Sequence, residues 1–131
     1  MDIQSKKYTI LVVEDDKSIN NVLRDKLTIE DFNVLQAYDG QIGMDIALRE
    51  HPDLILLDIL MPVMDGITVL KSLQKDDWGK TARVIMLTNL ADNENVSMAI
   101  VNGSNDYLVK SNWSMKDLVS KVRERLEIPR S

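Results

Sequence analysis

Ile10-Leu11-Val12-Val13-Glu14-Asp15-Asp16 and Leu54-Ile55-Leu56-Leu57-Asp58-Ile59-Leu60-Met61 are the two stretches that decide how this chain folds. Each is an apolar run too short for a helix, and each carries carboxylates at or beside its end. Neither alternates apolar with polar residues, so both faces are expected to be buried, as in a parallel sheet covered by helices on two sides. Further runs occur at Asn33–Ala37, Val84–Leu87 and Tyr107–Val109, and the first run reaches back to Tyr8. Between them apolar residues recur at three-four spacing: Ile19, Val22, Leu23 and Leu27; Ile42, Ile46 and Ala47; Ile67, Leu70 and Leu73; Val96, Ala99 and Ile100; Leu118, Val122 and Leu126. That spacing predicts helices with one buried face. Strand and helix alternate five times over, which implies an α/β fold with a five-stranded parallel sheet and five helices on its two faces.

Punctuation agrees with the alternation. Asp39-Gly40 and His51-Pro52-Asp53 bracket the second helix, because a residue before proline resists helical angles. Asp65-Gly66 opens the third helix, with Asp65 as its N-cap, and Asn102-Gly103 closes the fourth.

The composition narrows the function. The 131 residues hold 16 Lys and Arg against 21 Asp and Glu, a net charge of −5, so no global basic field attracts nucleic acid or an anionic membrane. With no Cys, disulfide frameworks, thiolate zinc sites and cysteine nucleophiles are excluded. Apolar residues make up 44% and charged residues 28%, the balance of an ordinary globular domain. No apolar run is long enough to span a bilayer, and the polar start Met1-Asp2-Ile3-Gln4-Ser5-Lys6-Lys7 is not a signal peptide. A single cytoplasmic domain over residues 1–131, with its core at about 7–127, is expected.

In an open parallel sheet, ligands bind beyond the carboxyl ends of the strands, where the strand order reverses. For a doubly wound, flavodoxin-like order 2-1-3-4-5, that point lies between the first and third strands. There the sequence places Glu14, Asp15 and Asp16 on one side and Asp58 on the other. A carboxylate among apolar neighbours is costly to bury without compensation, and converging acids repel one another. A hard divalent ion, Mg²⁺ above all, is the natural compensation. Acids after the first strand also suit a helix N-terminus, and Asp58 taken singly also suits a turn. Both groups falling at one reversal point favours a site. Thr88 ends the fourth strand and Lys110 the fifth, adding a hydroxyl and an ammonium for a metal-bridged anion. Singly, Lys110 suits a solvated strand end and Thr88 a helix cap. Together with the acids they suit attack of Asp58 on a phosphorus centre.

These residues resemble the receiver domain of bacterial two-component response regulators. The resemblance rests on Ile10 to Asp16, Asp53 to Asp58, Met61-Pro62-Val63-Met64-Asp65-Gly66, Leu87-Thr88 and Asp106 to Lys110, and it runs over roughly residues 7 to 127. It implies that Asp58 accepts a phosphoryl group from a sensor histidine kinase or a histidine phosphotransfer protein. It further implies that Asp15 binds Mg²⁺ (or Mn²⁺) directly, Glu14 through water, and the main-chain carbonyl of Leu60 completes the metal site beside Asp58. Lys110 and Thr88 would bind the phosphoryl oxygens, with Thr88 and Tyr107 as the switch pair. Tyr107 also suits an ordinary core aromatic. The output surface for a downstream protein would be the fourth predicted helix, the fifth strand and the fifth helix, with Trp113 nearby as packing. Neither nucleic acid nor membrane is an expected direct partner, and catalysis beyond self-phosphorylation and self-dephosphorylation is not expected.

Three positions depart from the family pattern. Ser111 follows Lys110 where proline is usual, and a cis bond there would cost about 2.5–4 kcal/mol, so a trans bond is expected. Asn89 is larger than usual and is expected to narrow access. Leu60 and Leu90, two residues beyond Asp58 and Thr88, stand where polar groups often orient water, which predicts a long-lived phosphorylated state. Three rival readings exist. An aspartyl-nucleophile phosphatase, by resemblance to the haloacid dehalogenases, needs a second Asp where Leu60 stands. A flavin or nucleotide binder needs a glycine-rich loop where Glu14-Asp15-Asp16 stands. A degenerate receiver acting as a constitutive binding module needs an unfilled site position. No residues are left after Pro129 for an output domain, so a stand-alone protein and an excised fragment are both open. His51, in a loop away from the acids, is not expected to act as phosphodonor or ligand.

Overall fold

The computed structural model of the chain describes residues 7–88, 106–109 and 114–128, with Thr88 and residues 106–109 described by their backbone alone. In chain order the elements are β1 (Thr9–Val13), α1 (Lys17–Ile29), β2 (Asn33–Ala37), α2 (Gly40–Glu50), β3 (Leu54–Asp58), α3 (Gly66–Gln74), a 3-10 turn (Gly79–Thr81), β4 (Val84–Thr88), β5 (Asp106–Val109) and α4 (Met115–Arg125). The helix expected around Val96–Ile100, its closing Asn102-Gly103, and Trp113 lie outside the described residues. The strands are parallel and ordered β2-β1-β3-β4-β5, so the chain reverses direction across the sheet between β1 and β3. This is the α/β flavodoxin-like arrangement that the apolar runs imply.

Alternation along the strands builds two cores. Leu11, Val13, Ile55, Leu57, Val84 and Met86 face one side, against Met44 and Ala47 of α2 and Val69, Leu70 and Leu73 of α3. Ile10, Val12, Leu54, Leu56, Ile85 and Leu87 face the other, against Leu23 and Leu27 of α1 and Leu118 and Val122 of α4. Because helices cover both faces, these strands have no polar side, which is why their sequences do not alternate.

Helix starts follow their side chains. Asp16, Asp39 and Asp65 accept hydrogen bonds from the N–H groups of Ile19, Ile42 and Thr68, and Ser114 and Asp117 form a reciprocal capping box on α4. His51 closes α2 with a left-handed φ of 47°, one residue before Pro52. Two expected core positions prove exposed: Val22 at 53% and Ile42 at 47%. On α1 the inward place is taken by Asn20, and on α2 by Gly40 and Gly43. Among the described residues no helix is long and apolar enough to cross a membrane.

Candidate metal and phosphoacceptor site

Glu14 is the first residue beyond β1, and Asp58 is the last of β3. Val13 pairs with Leu57 in the register, so the two carboxylates leave neighbouring strands at the same level of the sheet. Glu14 is 1% exposed and Asp58 5% exposed, whereas Asp15 lies at the surface. One carboxylate oxygen from each of Glu14, Asp15 and Asp58 lies within 4.8 Å of the other two. The sequence expectation that acids from two strand ends converge at the reversal point is met in the geometry.

Local folding explains why. Glu14 N donates to Ala37 O at 3.1 Å, continuing the β1–β2 ladder one step beyond the strands. Its Oε2 accepts from Asp16 N at 3.0 Å, where α1 begins with its unsatisfied N–H groups. Asp16, the third acid of the run, caps α1 instead of joining the cluster, so the helix-start reading holds for it alone. On the β3 side, Ile59 N donates to Leu87 O at 3.1 Å and Gly66 N to Ile59 O at 2.8 Å. These bonds fold the loop back and bring the start of α3 against the backbone of Asp58. A β-carbon on Gly66 would collide with the Asp58 carbonyl oxygen.

The loop between β3 and α3 forms an apolar rim. Leu60 is 53% and Val63 80% exposed. Val63 has φ 70°, and Met64 N donates to Pro62 O across it at 2.7 Å, a γ-turn that strains a β-branched residue. Thr88 is level with Val109 of β5, one step beyond the Asp58–Leu87 pair, so its backbone stands at the same sheet edge. The side chains of Thr88 and Tyr107, and all of Asn89, Leu90, Lys110 and Ser111, lie outside what the structure describes. His51 stacks on Trp78 at 4.3 Å between ring centroids, in the loop that enters β3 rather than at the end where Asp58 leaves it.

Three carboxylates, two of them buried, form a hard, purely oxygen donor set. A six-coordinate Mg²⁺ holds its oxygens at about 2.0–2.1 Å, and hence adjacent ones about 2.9 Å and opposed ones about 4.2 Å apart. The spacing of the three oxygens is compatible with one such ion after a small inward adjustment or with water bridging one ligand.

One supporting residue was not visible in the spacing. Asn20, in the interior of α1 and 0% exposed, donates from Nδ2 to Glu14 O at 2.9 Å and to Ala37 O at 3.0 Å. Its only sequence signal is a polar residue between Ile19 and Leu23, on a helix whose apolar spacing pointed elsewhere.

Comparison with known proteins agrees with the geometry. Residues 10–123 match the model of the response regulator receiver domain. The chain belongs to that family. This receiver domain is 33% identical over 117 residues to the DNA-binding dual master transcriptional regulator RpaA of Synechocystis sp., a match covering 89% of this chain and 48% of that protein. The receiver domain spans about half the length of the curated relatives it matches. Among solved structures it resembles a CheY-like response regulator receiver domain protein from Methanospirillum hungatei, with TM-score 0.86, 29% identity, and 93% and 95% of the two chains covered. It also resembles the receiver domain of a sensor histidine kinase from Pseudomonas aeruginosa, with TM-score 0.85, 26% identity, and 93% and 99% covered. That crystal structure carries a magnesium ion coordinated in the active-site cleft.

Proposed function

We propose that this receiver domain is the phosphoacceptor of a two-component system, with Asp58 as the residue modified. The observation that carries this reading is the convergence of Glu14, Asp15 and Asp58 where the sheet order reverses, with Asp58 nine-tenths buried yet opening on an exposed partner, Asp15. Asp58 Oδ attacks the phosphorus of a phosphohistidine on a sensor kinase or a phosphotransfer protein. The P–N bond breaks, the imidazole nitrogen keeps the electron pair, and an aspartyl phosphate is left on Asp58. Glu14, Asp15, Asp58 and the carbonyl of Leu60 would hold Mg²⁺ or Mn²⁺, which when bound neutralises the charge of the incoming oxyanion. Lys110 and Thr88 bind the phosphoryl oxygens, and the displacement of Thr88 is read by Tyr107. The new charge, about −1.5 to −2, biases a switch whose output surface is the helix expected around Val96–Ile100, β5 and α4.

The reading includes a single domain over residues 1–131, completed to five helices by the one around Val96–Ile100, and working in the cytoplasm. With a net charge of −5 the domain contacts a downstream protein rather than DNA or membrane. The likeness to a DNA-binding regulator suggests that this downstream step ends in transcription. Catalysis is confined to gain and loss of its own phosphoryl group, because Leu60 stands where an acid/base would serve external substrates.

Incubation with acetyl phosphate and Mg²⁺, followed by intact mass, tests the proposal. One phosphoryl group is expected, absent in Asp58→Asn and absent after chelation. Addition that survives either change would overturn it.

A further inference from the structure

We infer that Asn20 is a positioning residue for the metal-binding carboxylates, clamping the end of β1 so that Glu14 and Asp15 are held toward the ion. The inference rests on reading the acid cluster as a divalent-ion site.

A side-chain amide with no exposure in the middle of α1 demands partners, since burying it without hydrogen bonds is costly. Asn20 uses both Nδ2 hydrogens on main-chain carbonyls of two different strand ends, Glu14 O and Ala37 O. Ala37 O also receives Glu14 N. The peptide groups on both sides of Glu14 are therefore fixed, one through its N–H and one through its carbonyl. The second of these is the peptide that leads into Asp15. Rotation of that plane would swing the Asp15 Cα, and with it the surface ligand, away from Asp58.

The clamp is itself held. Asn20 Oδ1 accepts from Gln36 Nε2 at 2.8 Å, and the same nitrogen donates to Asn21 Oδ1 at 3.0 Å. Gln36 lies on β2, so the amide orientation of Asn20 is set by the residue next to Ala37, one of the two it clamps. An apolar residue at position 20 would fill the space without addressing either carbonyl. The chain keeps polarity here, at a position of α1 that reaches the ends of β1 and β2. Outer partners of metal ligands typically change ion affinity by about 10–100-fold when removed, because they set the orientation of the ligands.

The test measures ion affinity rather than phosphorylation, in the full chain. Mg²⁺ binding is followed by titration calorimetry, and the coordination of Mn²⁺ by its electron paramagnetic resonance spectrum. Asn20→Ala is expected to weaken Mg²⁺ about tenfold or more and to broaden the Mn²⁺ spectrum. Gln36→Leu is expected to weaken it in the same direction but less, because the clamp stays and only its support is lost. Leu27→Val, a buried change at the far end of α1, lowers thermal stability and is expected to leave affinity and spectrum unchanged. Parent-like affinity in Asn20→Ala overturns the inference, and so does an equal loss in Leu27→Val. Should Asn20→Ala not fold, Gln36→Leu decides alone, and parent-like affinity there overturns it. A parent that binds neither ion overturns the reading of the site itself, and the inference with it.

Discussion

Gly66 shows how closely single residues fix the site. Its missing β-carbon lets the start of α3 press on the Asp58 carbonyl, and the neighbour is main chain that has no rotamer to change. Gly66→Ala is therefore expected to destabilise the domain by about 1–3 kcal/mol, as overpacking does, and to slow phosphorylation by acetyl phosphate because Asp58 must shift. Denaturant midpoints and intact mass over time measure the two effects. An unchanged midpoint would mean the helix start yields freely. Leu60 makes a second case, since it is half exposed beside Asp58 and presents no group to orient water. Leu60→Asn is expected to shorten the lifetime of the phosphorylated state by about tenfold, the worth of one good hydrogen bond in a transition state. The same change at Leu90→Glu should act alike, and equal decay in parent and both variants would discard the role of the leucines. At this scale the meeting of Glu14 and Asp15 with Asp58 is legible in the sequence, because Asp58 stands among apolar neighbours and both groups fall where the strand order reverses. Asn20 is not. Its partners, Glu14 O and Ala37 O, are backbone groups that meet only when β1 and β2 pair, and no side-chain pattern announces a carbonyl.

Elements follow the sequence where local chemistry alone sets them, and the facing of their residues departs from it where packing decides. Asp39 and Asp65 begin their helices as their neighbours Gly40 and Gly66 suggest, and β2 spans Asn33–Ala37 as the apolar run does. Val22 and Ile42 fit an inward face by spacing yet lie exposed, because three-four spacing finds an apolar stripe without fixing its angle to the sheet. The sheet rotates α1 so that Asn20, Leu23 and Leu27 face in, and α2 approaches so closely that Gly40 and Gly43 occupy its contact face. The 3-10 turn at Gly79–Thr81 carries no such stripe and had no signal. The far end of α1 supports a prediction about pH. Glu30, just beyond the helix, accepts from Arg123 Nη2 of α4 at 3.1 Å and pairs with Lys26 at 3.4 Å. The Arg123 hydrogen bond, followed by Lys26, outweighs desolvation and holds the Glu30 carboxyl below its ordinary 4.5. A depressed folded-state value stabilises above the ordinary value and is lost as pH falls through the depressed one. Glu30→Gln should therefore be less stable than the parent at pH 7, by no more than about 0.5–1 kcal/mol for a partly exposed pair. The gap should close as pH drops below 4.5. Denaturant midpoints across that range measure it, and a gap constant with pH would assign the loss to packing.

The whole molecule separates its two tasks by edge. The faces of the sheet hold the cores that keep the fold, and the edge at the strand ends holds the carboxylates, whose mutual repulsion works against it. Glu14 and Asp58 are fixed in the native sheet at a spacing the unfolded chain does not maintain. An ion that bridges them binds the native state alone and must raise stability by mass action, about 2.7 kcal/mol at a hundred times its dissociation constant. For a domain of 131 residues this corresponds to a rise in melting temperature on the order of 10 °C. Simple screening of surface charge would mimic part of the effect, so the measurement belongs at about 0.15 M KCl, where exposed charges beyond about 8 Å are already screened. Under those conditions Mg²⁺ is expected to raise the melting temperature of the parent in a saturable way. The rise should vanish in Asp15→Asn, which removes the accessible ligand while leaving the buried pair in place. Asp58→Asn should melt higher than the parent without Mg²⁺, because it relieves the repulsion, and gain little when Mg²⁺ is added. A rise of equal size in all three proteins would mean that the ion acts on the surface at large, and the acid cluster would lose its claim to be the seat of control.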